Sequence, residues 1–359
     1  MNNLINLTEE QKANIFTQTG VRADLPAFAI EKDWWVTEML RIVFSLPYAE
    51  AFVFKGGTSL SKGYDLINRF SEDIDLAIDR TYFDMEGKLS RTQIKKLRKR
   101  SAKFISTELL GDIAEAIKKQ KLPISSIGIE PFEDSDTDPL RIYVTYDPLT
   151  KQSEYLKPRI LLEISCRSLR EPCEDVSIQS IVDREFESAI FTNPTFAVRT
   201  VEPQRTFLEK IFLLHEEWQK DNIRVDRLSR HLYDLERLMD TDHAKKALKD
   251  EELFYHIAEH RRTFSPLKGI DYTRHIPSSI KIIPPDAVIK NYATDYKVMK
   301  ESMFTGESLP WDAIVTRLTK LEERIRALDW LFYINNPFII NSNICHFIAI
   351  VVIIGFSIS

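Results

Sequence analysis

The chain has 359 residues, which is enough for two domains or for one domain with a helical extension. Hydrophobic residues make up 43% of it and charged residues 29%, a balance that excludes an intrinsically disordered protein. The formal net charge of −5 excludes a basic field over the whole chain, so a nucleic acid would have to meet a local basic patch. The three cysteines form no CxxC pair and the first residues lack a signal-peptide pattern, so we expect a protein of the reducing cytoplasm.

Residues 8–45 are predicted to form helices. Thr8 precedes two glutamates in the manner of an N-cap, and apolar residues recur at helical spacing over 30–46. The short apolar run 51–54 is predicted to be a strand that ends at a Gly-Gly turn, and a helix is expected over 59–68. The glycines would therefore lie between a strand and a helix.

The glycine turn has the composition of a phosphate-binding loop. Glycines let a ligand approach the backbone closely, and the start of a helix offers N–H groups to an anion. The hydroxyl side chains that follow the glycines add further donors. The residues assigned to phosphate binding on this basis are Gly56, Gly57, Thr58 and Ser59.

The next predicted strand, residues 71–78, carries two carboxylates on one face. Alternation places Asp73 and Asp75 on that face and three apolar residues on the other. Like charges at this spacing repel, so the pair is costly unless a cation lies between them. Mg²⁺ prefers oxygen ligands and commonly binds one or two carboxylates together with substrate phosphates. We therefore predict that Asp73 and Asp75 bind Mg²⁺.

Two later segments supply a third carboxylate and a basic surface. Strands are predicted at 141–146 and 159–165, and Glu163 lies within the second, where burial without a charge partner would be costly. Glu163 is therefore the candidate third metal ligand. Residues 88–121 form a basic helical stretch whose densest part, 88–103, is either a contact for RNA phosphates or only a solvated helix face.

The pattern of the chain changes near residue 200. Before it, a short strand is predicted at 196–200, and from Pro203 to about residue 331 the pattern is mostly helical. We therefore predict an α+β protein with a small mixed sheet. Its predicted parts are a sheet domain with N-terminal helices over 1–200, a helical domain over 201–334, and an uncharged apolar tail over 335–359.

The predicted tail, residues 335–359, contains no Asp, Glu, Lys or Arg. A membrane-spanning helix needs roughly 20 predominantly apolar residues, and asparagine, proline and histidine interrupt this segment. Its β-branched bias favours a buried strand or an aggregation-prone tail. A tail anchor and an adventitious extension stay open as alternatives, and we expect no other contact with a membrane.

The order of these motifs resembles the polymerase-β-like nucleotidyltransferase superfamily. More narrowly, it is similar to the AbiEii/AbiGii family, the nucleotidyltransferase toxins of bacterial toxin–antitoxin and phage-defence systems. The resemblance covers roughly residues 25–240, judged by motif order. In its last motif, His231 stands where the family usually has aspartate. The similar segments are Ile30–Trp35, Phe54–Lys62, Arg69–Leu76, Glu209–Lys210 and Arg230–Leu235.

The resemblance implies an enzyme that moves NMP from an NTP to an acceptor and releases pyrophosphate. Mg²⁺ held by Asp73, Asp75 and Glu163 would stabilise the attacking and leaving oxygens. Lys210 would neutralise the charge that develops on the leaving group, and Asp234 would belong to the same site. The residues implied in NTP binding are Gly56, Gly57, Thr58, Ser59, Lys62, Arg69 and Ser71.

The resemblance also implies partners. Growth inhibition is expected, in some members through addition of NMP to tRNA 3′ ends, with neutralisation by a separately encoded antitoxin that forms no stable complex. We therefore expect an RNA acceptor, with the basic stretch 88–103 as its contact.

Alternatives stay open for the activity and for several residues. The chain could instead modify a protein side chain, as an NMP transferase or a kinase, or it could be a catalytically inactive binding protein. Asp234 could pair with Arg230 one turn earlier, and Lys210 could be an exposed lysine on an amphipathic helix. His256 and His260 match the zinc pattern H-x-x-E-H, although two surface histidines are the simpler interpretation.

Overall fold

The computed structural model describes residues 4–330, except 72, 152–156, 168–170, 188 and 305. The predicted tail at 335–359 lies outside these residues, so its nature stays a prediction. None of the helices in the described ranges is long and apolar enough to cross a membrane.

One mixed sheet lies at the centre of the fold. Its strands are β1 (Phe52–Lys55), β2 (Asp73–Ile78), β3 (Ile124–Ile129), β4 (Leu140–Tyr146), β5 (Arg159–Ser165), β6 (Cys173–Ile178) and β7 (Phe196–Val201). They lie in the order β3-β4-β5-β2-β1-β7-β6. The central strand β2 is parallel to β5 and antiparallel to β1. The α+β class is therefore confirmed, whereas β3 and β6 are strands that the sequence does not predict.

The helices surround this sheet and form most of the chain after β7. They are α1 (Glu9–Ala23), α2 (Ala27–Val43), α3 (Gly56–Lys62), α4 (Arg91–Phe104), α5 (Leu110–Gln120), α6 (Ile181–Glu185), α7 (Pro203–Glu217), α8 (Ser229–Leu238), α9 (Asp242–Ala247), α10 (Glu251–Phe264), α11 (Asp286–Met303) and α12 (Trp311–Arg326). Thr8 caps α1 as predicted, through a capping box with Gln11.

The helix after the glycine turn differs from its prediction. A helix is expected over 59–68, but α3 starts at Gly56 and ends at Lys62. The chain then turns through Asp65, whose positive φ of 51° is incompatible with a continuing helix. The two glycines therefore form the first turn of α3 itself.

The hydrophobic core consists of two clusters. The larger one packs α2, α4 and α5 against the sheet, and Ile74, Leu76 and Ile78 of β2 point into it. The second lies among α7, α8 and α10 to α12, and α3 contributes Leu60 to it. Because the apolar face of β2 is committed to the first cluster, its aspartates lie on the opposite face. The predicted domain boundary near residue 200 stays a prediction.

Candidate active site

The parallel pairing of β2 with β5 brings the predicted carboxylates together. Asp75 is the register partner of Glu163, and Asp73 lies two residues before it on the same face. Neighbouring strands lie about 4.8 Å apart and partners in register point the same way, so the two carboxylates are direct neighbours. The structure thus places Asp73, Asp75 and Glu163 on one face of the sheet.

Two cationic residues flank these carboxylates, and the sequence does not single them out. Lys55 is the register partner of Asp75 on β1, and Arg141 is the register partner of Glu163 on β4. Arg141 Nε donates to Glu163 Oε2 over 2.8 Å. A row of two carboxylates with a cation at each end therefore crosses four strands. Only the strand pairing reveals this row, since each residue is by itself an ordinary polar position on a strand.

The surroundings of Asp75 make its charged form unfavourable in the absence of a cation. Burial, followed by the charges of Glu163 and Asp73, raises the pKa of Asp75 to about 6, although Lys55 and Arg230 act in the opposite direction. A divalent cation beside Asp75 would relieve both the repulsion and the cost of burial.

The glycine turn packs directly against the carboxylates. Gly56 has a φ of +80°, and a Cβ added there would lie 2.0 Å from Asp75 Oδ2. A Cβ added at Gly57 would lie 2.5 Å from Arg69 Nη2. Glycine is therefore required at both positions, because any side chain would displace the residues that border the site.

The hydroxyls after the glycines hold the turn in place. Thr58 Oγ1 lies 2.8 Å from Ser71 Oγ and also hydrogen bonds to the carbonyl oxygen of Asp73. Ser59 Oγ donates to the Gly56 carbonyl oxygen over 2.9 Å, and both side chains are buried. The structure therefore directs these hydroxyls to protein atoms, so the N–H groups of the turn are the donors that it leaves for a phosphate.

A buried network of charges lies beside the turn. Arg69 donates to both carboxylate oxygens of Asp234, over 2.7 and 2.8 Å, and Lys210 Nζ lies 2.9 Å from Asp234 Oδ2. Asp234 is fully buried; burial opposes its charge, but Arg69 and Lys210 outweigh that effect and lower its pKa. Asp234 therefore pairs with Arg69 and Lys210 rather than with Arg230 one turn earlier. Nor is Lys210 an exposed lysine, since only 8% of its side chain is accessible.

His231 completes the environment of Lys210. Its Nδ1 lies 3.3 Å from Lys210 Nζ, and burial together with the neighbouring cations lowers its pKa well below the usual value. The imidazole is therefore neutral and accepts from the ammonium group. The residue that stands in place of the family's aspartate thus keeps a hydrogen-bond acceptor beside Lys210 while adding no negative charge.

Lys62 is not brought into this group. Its ammonium nitrogen lies 2.6 Å from Asp33 Oδ1 on α2 and donates to the Gln179 carbonyl oxygen. Only 5% of its side chain is accessible. The observed contacts are those of a buried ion pair that fastens α3 to α2.

The H-x-x-E-H motif on α10 has no zinc-binding arrangement. His260 stacks on Phe264 with ring centroids 4.7 Å apart, and Glu259 pairs with Arg262. No group of three or more His, Cys, Asp or Glu within the described ranges is arranged to hold a metal ion. His256 is exposed at the surface, whereas His260 is half-buried against Phe264.

The carboxylates of the sheet likewise form no three-ligand group within the described ranges. Glu163 turns to Arg141, on the side away from Asp75, so the three carboxylates do not converge on one point. Their chemistry nevertheless fits a hard divalent cation, because they supply oxygen ligands and because burial, followed by the charge of Glu163, raises the pKa of Asp75.

A glycine turn packed on a carboxylate strand, with buried cations beside it, has the residue types that chemistry on phosphates requires. A model of the nucleotidyl transferase AbiEii toxin family, type IV toxin–antitoxin system, matches residues 40–317. That range is more than half of the chain, so the protein belongs to this family.

No curated protein matches the chain. Among solved structures, it is similar to MenT4, a nucleotidyltransferase toxin from Mycobacterium tuberculosis H37Rv, with 17% identity and a TM-score of 0.49. That match covers 90% of this chain and 91% of the other.

Family membership confirms the resemblance seen in the motifs. The protein is a nucleotidyltransferase toxin of a type IV toxin–antitoxin system, which implies an NTP substrate and an antitoxin partner. Enzymes of this class generally use a divalent metal ion.

Proposed function

We propose that the protein transfers NMP from an NTP to the 3′ hydroxyl of an RNA, with tRNA as the expected acceptor and Mg²⁺ as the metal. One observation carries this proposal: Asp75 lies beside Glu163 in the sheet and directly against the Gly56 turn. This juxtaposition supplies metal ligands and a backbone surface for phosphates at one place. Bound Mg²⁺ would stabilise negative charge on the reacting phosphate.

In this proposal the three carboxylates have distinct tasks. Asp73 and Asp75 would hold the metal, and Glu163 would lie beside it and accept the proton of the attacking hydroxyl. The acceptor oxygen forms a bond to the α-phosphorus while the bond to the bridging oxygen breaks, and pyrophosphate leaves. The proton starts on the acceptor hydroxyl and ends on Glu163, from which water removes it.

The buried cations act on the leaving group. Two N–H groups of the Lys210 ammonium are directed at Asp234 and His231, which leaves the third for a phosphate oxygen. The positive charge of Arg230 acts to lower the pKa of Asp75. In this account Asp234 and Arg69 are positioning residues, because their charged groups satisfy each other. Lys62 is left out, since its ammonium group is held by Asp33.

The basic helix α4 is the proposed contact for the RNA backbone. Its apolar residues face the core, and Arg98 Nε donates to the Asp136 carbonyl oxygen in the loop before β4. That contact fastens the helix to the loop that leads into β4, close to Arg141 at the start of the strand. Phosphate contacts of this kind supply affinity without sequence preference. The exposed basic residues of α4 are Arg91, Lys95, Lys96, Lys99, Arg100 and Lys103.

A transfer assay tests the proposal. The purified protein is incubated with each α-labelled NTP, Mg²⁺ and total RNA or total protein, beside Asp73→Asn and the control Asp79→Asn. Asp79 lies directly after the same strand, and its side chain accepts from the Thr81 N–H. Label in RNA that requires Asp73 but not Asp79 supports the proposal. Label in protein alone indicates a protein-modifying transferase, and no label in any fraction contradicts nucleotidyl transfer to either class.

A further inference from the structure

We propose that Arg141 exchanges partners during the reaction: it holds Glu163 in the metal-free enzyme and binds a backbone phosphate of the acceptor once Glu163 binds the metal. This inference rests on the proposed function, because it assigns a residue to the RNA acceptor of that reaction. It adds a phosphate-binding residue on the acceptor side of the site.

The contact between Arg141 and Glu163 is suited to exchange. It is a single hydrogen bond, from Nε to Oε2 over 2.8 Å, between side chains that are 48% and 30% accessible. Exposed ion pairs of this kind contribute little to stability, so their loss is easily offset. In the part of the chain that the structure describes, no carboxylate or carbonyl accepts a hydrogen bond from either Nη group of Arg141. The fork of the guanidinium is therefore available to a phosphate, which it matches in geometry.

The position of Arg141 in the sheet identifies which phosphate it meets. The glycine turn, which receives the NTP phosphates, follows β1, whereas Arg141 lies on β4, beyond β2 and β5. Three strand spacings separate β1 from β4, on the order of 14 Å. Glu163 lies between them, and the attacking hydroxyl must meet it there. The phosphate nearest to Arg141 is therefore one in the acceptor strand, close to its 3′ end.

The charges of the row supply the reason for the exchange. Without metal, the row runs cation, carboxylate, carboxylate, cation, as Lys55, Asp75, Glu163 and Arg141, so these four side chains are formally neutral together. When Glu163 turns toward a divalent cation, Arg141 loses its counter-ion and lies beside additional positive charge. An acceptor phosphate is the anion that restores the balance.

The simpler alternative is that Arg141 and Glu163 form only a cross-strand pair that stabilises the sheet. The chain offers a matched control for this alternative. Arg199 and Asp175 are register partners on β7 and β6, at the other side of the sheet, with Nε and Oδ1 3.2 Å apart. Their side chains are 46% and 58% accessible. Arg199→Gln therefore removes an equivalent pair that faces neither Glu163 nor the proposed acceptor path.

The first measurement is Mg²⁺ binding without nucleotide, by calorimetry, in the wild type, Arg141→Gln and Arg199→Gln. Removal of the competing guanidinium is expected to tighten Mg²⁺ binding by about threefold or more in Arg141→Gln only. Equal affinities in the three proteins, or no binding in any of them, would contradict the exchange.

The second measurement is binding of a short RNA with a free 3′ hydroxyl, in the presence of Mg²⁺, as a function of salt. Arg141→Gln is expected to weaken binding about tenfold and to reduce the salt slope by about 1, with NTP affinity unchanged within about twofold. RNAs with one uncharged methylphosphonate at each of the last three linkages then locate the contact. The wild type should lose about tenfold at one linkage, and Arg141→Gln should lose nothing more there.

These outcomes separate the inference from the proposed function. If the wild type labels and binds RNA but Arg141→Gln behaves like Arg199→Gln, the inference is wrong and the function stands. If the wild type neither binds nor labels RNA, the proposed acceptor is wrong and the inference fails with it.

Discussion

Arg69 and Asp234 form a bidentate ion pair across 165 residues of sequence, and both side chains are almost completely buried. Arg69 also lies against Gly57, so the pair connects the glycine turn to helix α8. Its neighbour Phe70 donates from its backbone N–H to the Met303 carbonyl oxygen at the end of α11. The geometry of the turn therefore depends on contacts with the helices that follow the sheet.

Removal of Asp234 is expected to unfold or severely weaken the protein. Asp234→Ala leaves Arg69 and Lys210 buried without their counter-ion, which costs about 3–5 kcal/mol in the free energy of unfolding. Asp234→Asn should cost less, because its amide oxygen still accepts hydrogen bonds. Urea denaturation measures both.

The control for Asp234 is an ion pair at the surface. Glu259→Ala removes an exposed pair on α10 and should change the free energy of unfolding by no more than about 0.5 kcal/mol. Equal effects of Asp234→Ala and Glu259→Ala would mean that the buried network contributes nothing.

Asp75 is expected to make stability and metal binding depend on pH in opposite directions. Its pKa is raised from 3.8 to about 6, so the metal-free native state favours the protonated form. The stability that this provides is complete below about pH 3.8 and is lost as the pH rises through 6. Asp75→Asn should therefore stabilise the metal-free protein at pH 7.5, by on the order of 3 kcal/mol, and have little effect at pH 4. Thermal melts at both pH values measure the difference.

The pH dependence of Mg²⁺ affinity is a second measure of the pKa of Asp75. Because Asp75 must lose its proton to bind a cation, the affinity should fall about tenfold per pH unit below 6 and level off above it. Calorimetric titrations from pH 5 to 8 decide the matter. An affinity that is flat across this range would show that Asp75 is not a ligand.

Gly56→Ala is expected to abolish Mg²⁺ binding and transfer while the fold survives. The added Cβ would meet Asp75 Oδ2 at 2.0 Å, so the carboxylate must move, and misplacement by about 1 Å costs on the order of a hundredfold in rate. Gly87→Ala is the matched control, because Gly87 also has a positive φ but has no atom within 4 Å of an added Cβ. Both variants should lose about 1–2 kcal/mol of stability from backbone strain. If both variants lost activity, the cause would be backbone strain rather than displacement of Asp75.

Replacement by methionine is expected to lower stability at Lys62 and catalysis at Lys210. Lys62→Met breaks the buried pair with Asp33, so the free energy of unfolding should fall by about 3 kcal/mol while the KM for NTP is unchanged. Lys210→Met should lower kcat or raise the KM for NTP, because it removes the cation directed at the leaving group. Steady-state kinetics at a temperature where both variants are folded make the comparison. A raised KM in Lys62→Met would instead support the nucleotide-binding role that the family resemblance implies.

Local patterns in the sequence were sufficient for the elements that carry the carboxylates. The alternation around Asp73 and Asp75 and the glycines before them predict β2 and the turn, since both depend on near neighbours in the chain. The strands β3 and β6 carry consecutive polar residues, two serines in β3 and two acidic residues in β6, and little fully buried surface, so no apolar alternation marks them.

The pairing of distant residues could not be predicted in the same way. Arg141 stands beside Glu163 only because β4 and β5 are neighbours in the sheet, and Asp234 meets Arg69 only after α8 packs beside the turn. Sequence periodicity specifies the face on which a side chain lies and not its partner. The burial of Lys62 against Asp33 is a further case, since a lysine at the end of a short helix is commonly exposed.

The most direct test of the central claim is sequencing of RNA 3′ ends after brief expression of the wild type and of Asp75→Ala. We expect RNAs, tRNAs among them, to gain untemplated nucleotides at their 3′ ends with the wild type and none with Asp75→Ala, at equal levels of soluble protein. Identical 3′ ends in the two samples, in cells whose growth the wild type inhibits, would contradict transfer to RNA 3′ ends.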